Sequence, residues 1–128
     1  MENKYYSNYF KSIGQGLTNS IYYLDQGKIE PKLFFETIKG ILIKLREARN
    51  KIYFFGNGAS AAFANHMALD FSKNGKILSR SLSDSVMLTA LANDYTYELA
   101  MLEYLKIEGV NKDDLVITIS SSGNSPNI

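Results

Sequence analysis

Four small groups of residues carry side chains that could bind or transform a ligand. The densest is Ser120-Ser121-Ser122-Gly123-Asn124-Ser125, which packs four hydroxyls into six residues directly after an apolar run, Leu115-Val116-Ile117-Thr118-Ile119. Small residues let the backbone approach an anion, and hydroxyls and amides donate to its oxygens, so the chemistry indicated is phosphate binding. A second group, Gly56-Asn57-Gly58-Ala59-Ser60, also follows an apolar run. It has neither the G-x-G-x-x-G spacing of a dinucleotide fingerprint nor the Gly-Lys-Ser/Thr ending of a P-loop. It reads equally as a tight turn with Ser60 capping a helix and as a ligand loop. His66 and Asp70 stand four apart, on one face of a helix. They offer a metal or acid/base pair, or only a surface hydrogen bond. Two donors fall short of the three or four that zinc takes, and the chain has no further histidine and no cysteine to add. Asn93-Asp94 reads either as an Asx-type turn between helices or as a pair that holds sugar hydroxyls.

These groups need elements to position them. Apolar residues at helical spacing (Tyr5, Tyr6, Tyr9, Phe10, Ile13, Leu17, Ile21, Leu24) predict a helix over 4–26, ended by Gln26-Gly27-Lys28. A second helix starts near Pro31 and continues to Ala48, with Lys44, Arg46 and Arg49 near its end, where the helix dipole favours cations. Lys51-Ile52-Tyr53-Phe54-Phe55 is a continuous apolar run, the pattern of a strand covered on both faces. An Ala-rich helix over 61–73, a weaker strand over 77–82, a helix from Val86 capped by Ser83-Asp84-Ser85, a helix over 95–107 and a strand over 115–119 follow. The order is two helices, then β-α-β-α-α-β. That predicts an α/β domain with a parallel sheet over 51–128 and an N-terminal helical extension over 1–50. Ligands bind such sheets beyond the carboxyl ends of the strands, where loops 56–60 and 120–125 fall.

Composition narrows the classes of partner. With 14 basic and 13 acidic residues the net charge is +1, which supplies no bulk field for nucleic acid or an acidic membrane surface. At 45% hydrophobic and 21% charged, the 128 residues have the balance of one ordinary folded domain. The absence of cysteine removes disulfides and thiolate chemistry and suits a reducing cytoplasm. The N-terminus lacks a signal peptide's basic region and apolar core, and no apolar run approaches a membrane span. The broad apolar face of the extension suits an oligomer contact.

Together the motifs resemble the sugar isomerase (SIS) domain family, most of all the phosphoheptose isomerases. The match lies in Phe55-Gly56-Asn57-Gly58-Ala59-Ser60, in His66 six residues later, in Leu91-Ala92-Asn93-Asp94, and in Ile119-Ser120-Ser121-Ser122-Gly123-Asn124-Ser125. The resemblance implies a flavodoxin-like parallel-sheet fold and a homotetramer with sites at subunit interfaces. It implies that Asn57, Gly58, Ala59 and Ser60 contact a sugar phosphate and that Asn93 and Asp94 hold its hydroxyls. Ser120, Ser121, Ser122 and Ser125 would grip the phosphate. His66 would ligate zinc in members that bind it, and Asp70 stands where the isomerases carry a glutamate that ligates the metal, touches substrate and acts as general base.

The implied reaction is the aldose–ketose isomerisation of sedoheptulose 7-phosphate, in heptose biosynthesis for cell-surface polysaccharide. A base removes the proton beside the carbonyl to give an enediol, and an acid returns it on the neighbouring carbon. Ala59 departs from a glycine usual in the loop. Asp70 is one methylene shorter than glutamate, and a displacement of about 1 Å can cost about 100-fold in rate. Family members also continue into a second half that supplies a glutamine and a histidine. The expectation is therefore a chain resembling the N-terminal part of such an isomerase and inactive alone. The alternatives are a non-catalytic SIS module that binds a sugar phosphate as a regulatory ligand, and a SIS protein that associates with the replication initiator. Serine at position 122 favours phosphate binding over the initiator-binding type, which tends to carry a bulky basic residue in this loop.

Overall fold

The computed structural model describes residues 4–128. By internal contacts the chain divides into two compact units, one ending at Gly40 and the other running Ile41–Ile128. In the larger unit three parallel strands form a sheet of order β4-β3-β5, where β3 is Lys51–Gly56, β4 Leu78–Ser81 and β5 Leu115–Ile119. Ile52 through Gly56 are all buried. This explains the unbroken apolar run, because the central strand is covered on both faces.

Side chains alternate across β3. Ile52 and Phe54 pack with Leu45 of α2 (Pro31–Ala48), with Ala64 and Ala68 of α3 (Ala59–Lys73) and with Ile77. Tyr53 and Phe55 pack on the other face with Leu82, with Leu91 of α4 (Ser85–Asp94) and with Ala100, Met101 and Tyr104 of α5 (Ala100–Ile107). The alanines of α3 let that helix lie close to the sheet. Asp84 caps α4 as expected, its carboxylate accepting from the Met87 amide at 2.8 Å. At the amino-terminal edge of the sheet, the Asp114 carboxylate accepts from the Lys51 amide at 2.7 Å and from the Asn111 amide and side chain at 3.0 and 2.9 Å.

The smaller unit holds α1, which spans Lys4–Thr18, and an antiparallel hairpin of β1 (Tyr22–Leu24) and β2 (Gly27–Ile29). This corrects the helix expected over 4–26. The helical spacing of Ile21 and Leu24 continues that of α1, but Thr18-Asn19-Ser20 breaks the helix. The Thr18 hydroxyl turns back to the Gly14 carbonyl at 3.1 Å, and Asp25 takes a left-handed φ of 53° in the two-residue turn. Asn93 and Asp94 are the last residues of α4 rather than a break, and α5 starts at Ala100, not at Tyr95. The break is 95–99, where the Thr96 hydroxyl accepts from the Leu99 amide at 3.2 Å. Among the described residues, no helix is long and apolar enough to cross a membrane.

Candidate functional site

Because β3 and β5 are adjacent and parallel, with Gly56 opposite Ile119, the loops after them leave the same sheet edge side by side. Between them lies a cavity of about 60 Å³ lined by Asn57, Ser60, Ile119, Ser120, Ser121 and Ser125. Five of the residues named from the sequence thus converge on one small polar space. Gly56 makes the approach possible: a Cβ there would stand 2.6 Å from the carbonyl carbon and oxygen of Ser60. The turn continues through Gly58, at φ 55°, into α3. Gly58, not Ser60, is the N-cap, and it makes no side-chain cap bond. Ser60 is the second residue of the helix rather than its cap, and it lines the cavity near the positive end of the helix dipole.

The serine loop is internally ordered. Ser120 Oγ accepts from the Gly123 amide at 3.0 Å, and Ser122 Oγ from the Asn124 amide at 3.2 Å. The Ser120 hydroxyl lies 3.5 Å from those of both Ser122 and Ser125. Gly123 holds a φ of 67°, which a side chain would strain. The loop thereby curls the hydroxyls of Ser120, Ser122 and Ser125 toward one another.

Two residues that sequence reasoning missed fix Asn57. Its Nδ2 donates to Asn127 Oδ1 at 2.8 Å, and Asn127 Nδ2 donates back to Asn57 Oδ1 at 2.9 Å. The Tyr97 hydroxyl donates to the same Oδ1 at 2.9 Å. Asn127 is one of only two buried polar residues among those described. Its position in Ser125-Pro126-Asn127 reads locally as a turn, and Tyr97 reads as an apolar helix residue. Neither carries a local signal, because the partners lie 70 and 40 positions away.

The remaining candidates form two separate pairs. His66 Nε2 and Asp70 Oδ2 are 3.3 Å apart, with side chains 64% and 40% exposed. Asp70 Oδ1 also accepts from Asn74 Nδ2 at 3.3 Å. At 1.5 Å per residue, His66 and Asp70 lie about 9 Å and about 15 Å along the α3 axis from Ser60. They do not line the serine cavity. Asp70 instead edges a shallow apolar hollow with Phe71 and Gly75. Asn93 Nδ2 donates to Asp94 Oδ1 at 3.0 Å, and both are exposed. Among the described residues, no group of three or more His, Cys, Asp or Glu is placed to hold a metal ion.

The SIS domain family model matches residues 35–128. A phosphoheptose isomerase of Helicobacter pylori (strain P12) is 40% identical over 94 residues, covering 69% of this chain and 48% of the relative. One from Citrifermentans bemidjiense is 32% identical over 109 residues, covering 80% and 55%. The chain thus spans about half the length of the curated relatives it matches. The solved structure of phosphoheptose isomerase from Neisseria gonorrhoeae superposes with a TM-score of 0.70 at 24% identity, covering 97% of this chain and 61% of that one. That superposition shows the shared α/β fold.

Proposed function

Given that the chain belongs to the SIS domain family, we propose that it binds the phosphate end of a sugar phosphate and serves the aldose–ketose isomerisation of sedoheptulose 7-phosphate. One observation carries the proposal: Asn57, Ser60, Ser120, Ser121 and Ser125 line a single cavity between the carboxyl ends of β3 and β5. Hydroxyl and amide donors around a small space beside a helix N-terminus suit a phosphate monoester. Ser122 orders the loop, and Gly58 and Ala59 form the turn that opens α3. Binding energy from the phosphate end would hold the reacting carbons in place. Asn93 and Asp94 are assigned to the sugar hydroxyls.

In the reaction, the Asp70 carboxylate takes the proton from the carbon beside the carbonyl. A proton passes between the two oxygens of the resulting enediolate, and the protonated Asp70 returns its proton to the adjacent carbon, which moves the carbonyl by one position. His66, whose Nε2 lies 3.3 Å from Asp70 Oδ2, orients that carboxylate. His66 and Asp70 present an imidazole nitrogen and a carboxylate oxygen, donor types that zinc accepts. With no third such donor beside them among the described residues, they do not make a zinc site by themselves. A cytoplasmic setting and a homotetramer complete the reading. The first is supported by the cysteine-free composition, the second by the exposed apolar residues of α1.

A second reading, a module that holds a sugar phosphate without turning it over, is supported by the distance of Asp70 from the cavity and by the two-donor count. Calorimetric titration of the chain with sedoheptulose 7-phosphate and with sedoheptulose tests what both readings share. Binding is expected only for the phosphorylated sugar, and equal affinity for the two would overturn the phosphate assignment. Incubation followed by NMR tests the second reading, since aldose product formed by this chain would overturn it. On the donors present, we expect the 128-residue chain to bind without turnover.

A further inference from the structure

We propose that Tyr97 and Asn127 are positioning residues that lock the Asn57 side chain as a pure hydrogen-bond donor toward an anionic oxygen in the serine cavity. The inference rests on the reading of that cavity as a phosphate site and deepens it. An asparagine amide has two acceptor positions on oxygen and two N–H donors. Asn57 Oδ1 is filled twice, by Asn127 Nδ2 at 2.9 Å and by the Tyr97 hydroxyl at 2.9 Å. One N–H of Nδ2 is used on Asn127 Oδ1 at 2.8 Å. A single N–H is left, on a residue that lines the cavity with Ser60, Ser120, Ser121 and Ser125.

A ligand can therefore meet Asn57 only by accepting. A phosphate dianion offers acceptors alone, whereas a group that must donate finds no free oxygen on this amide. Burial of Asn127, at 8% exposure, makes the reciprocal pair costly to break, because its polar atoms would lose partners away from water. Tyr97 is half exposed and belongs to the 95–99 connection, so its hydroxyl ties the segment after Asn93-Asp94 to the cavity wall. The three side chains thus join the loop after β3, the α4–α5 connection and the segment after the serine loop.

The test is a double-mutant cycle on the full chain, with inorganic phosphate and sedoheptulose 7-phosphate as titrants. Tyr97→Phe keeps the ring and removes one bond, and it should weaken binding of both titrants about five-fold. In an Asn57→Ala background the same change should do nothing more, since Tyr97 acts only through Asn57. An equal loss in both backgrounds, or none in either, overturns the inference. The ligand-free side-chain NH₂ signals of Asn57, assigned by their loss in Asn57→Ala, should exchange slowly with water and speed up in Tyr97→Phe. Unchanged exchange overturns the lock whatever the ligand does. If the native chain binds neither titrant while its amide stays locked, the phosphate reading has failed and the assigned role falls with it. Asn127→Ala repeats the cycle where it folds, and Tyr97→Phe stands where it does not.

Discussion

At the scale of the residue, two positions show how little tolerance the site and core have. Gly56 is required by contact: an alanine Cβ would press into the Ser60 backbone at 2.6 Å, and neither a strand end nor the first turn of a helix yields easily. Gly56→Ala should cost about 1–3 kcal/mol, read as a lower midpoint in chemical denaturation. It should also weaken phosphate binding by displacing Ser60. Tyr104 is the second position. Burial first, and then the nearby Glu108 carboxylate, push its hydroxyl up from 10.0 to about 12. A pKa raised in the fold means the folded chain keeps a proton that the unfolded chain releases. The associated stability is fully present below pH 10 and is lost as pH rises from 10 towards 12. Denaturation midpoints of the native chain should therefore fall more between pH 9 and pH 11 than those of Tyr104→Phe, and parallel curves would contradict the assignment. Asn57, Ser60 and the serines were legible in the sequence because each group follows an apolar run, although only β3 is buried and β5, at the sheet edge, is half covered. Asn127 and Tyr97 were not, because long-range pairing of single polar groups leaves no period and no local composition.

At the scale of the element, the central strand and the helices around it were readable because burial on both faces demands an unbroken apolar run and a helical face demands its own period. The hairpin at 22–29 was misread for a related reason. Ile21 and Leu24 happen to continue the helical spacing of α1, while the deciding signals are the breaker cluster Thr18-Asn19-Ser20 and the tight turn before Gly27. Backbone hydrogen bonding to a partner strand then outweighs apolar periodicity. The sheet edge shows how one carboxylate can take the place of longer local structure. Asp114 accepts from Lys51 at the start of β3 and from Asn111 just before β5, so it sets the alignment of the two strands whose far ends build the cavity. Asp114→Ala leaves the Lys51 amide without its partner and should cost about 2–3 kcal/mol, since three hydrogen bonds to a charged group are lost at a half-buried site. Amide hydrogen exchange at Lys51 should accelerate with it. A variant with native midpoint and native exchange would mean that strand pairing alone holds the register.

At the scale of the whole molecule, the outstanding fact is a helix with nothing buried. Of the 15 residues of α1 none is buried, although Tyr6, Phe10, Ile13 and Leu17 form a stripe at spacings of four, three and four, with Tyr5 and Tyr9 stacked beside it. Phe10 and Leu17 are 68% and 73% exposed. A helix about 22 Å long with one apolar and one polar face is not stable by propensity alone and owes its stability to whatever covers the apolar face. In the homo-oligomer of the proposed function a second copy of the chain is that cover, since an identical stripe offers a self-complementary surface and closed symmetric assemblies are the common outcome. Phe10→Lys with Leu17→Lys places two cations in the stripe and, in a symmetric contact, four across it, and it substitutes no residue of the cavity. Analytical ultracentrifugation of the native chain should show an assembly that the double variant shifts to monomer at the same concentration. Phosphate affinity should survive in the dissociated chain, because all five polar cavity-lining residues come from Ile41–Ile128 of one copy. Loss of phosphate binding on dissociation would mean instead that a second copy contributes to the anion site. A native chain that sediments as a monomer would remove the second copy as the cover of α1.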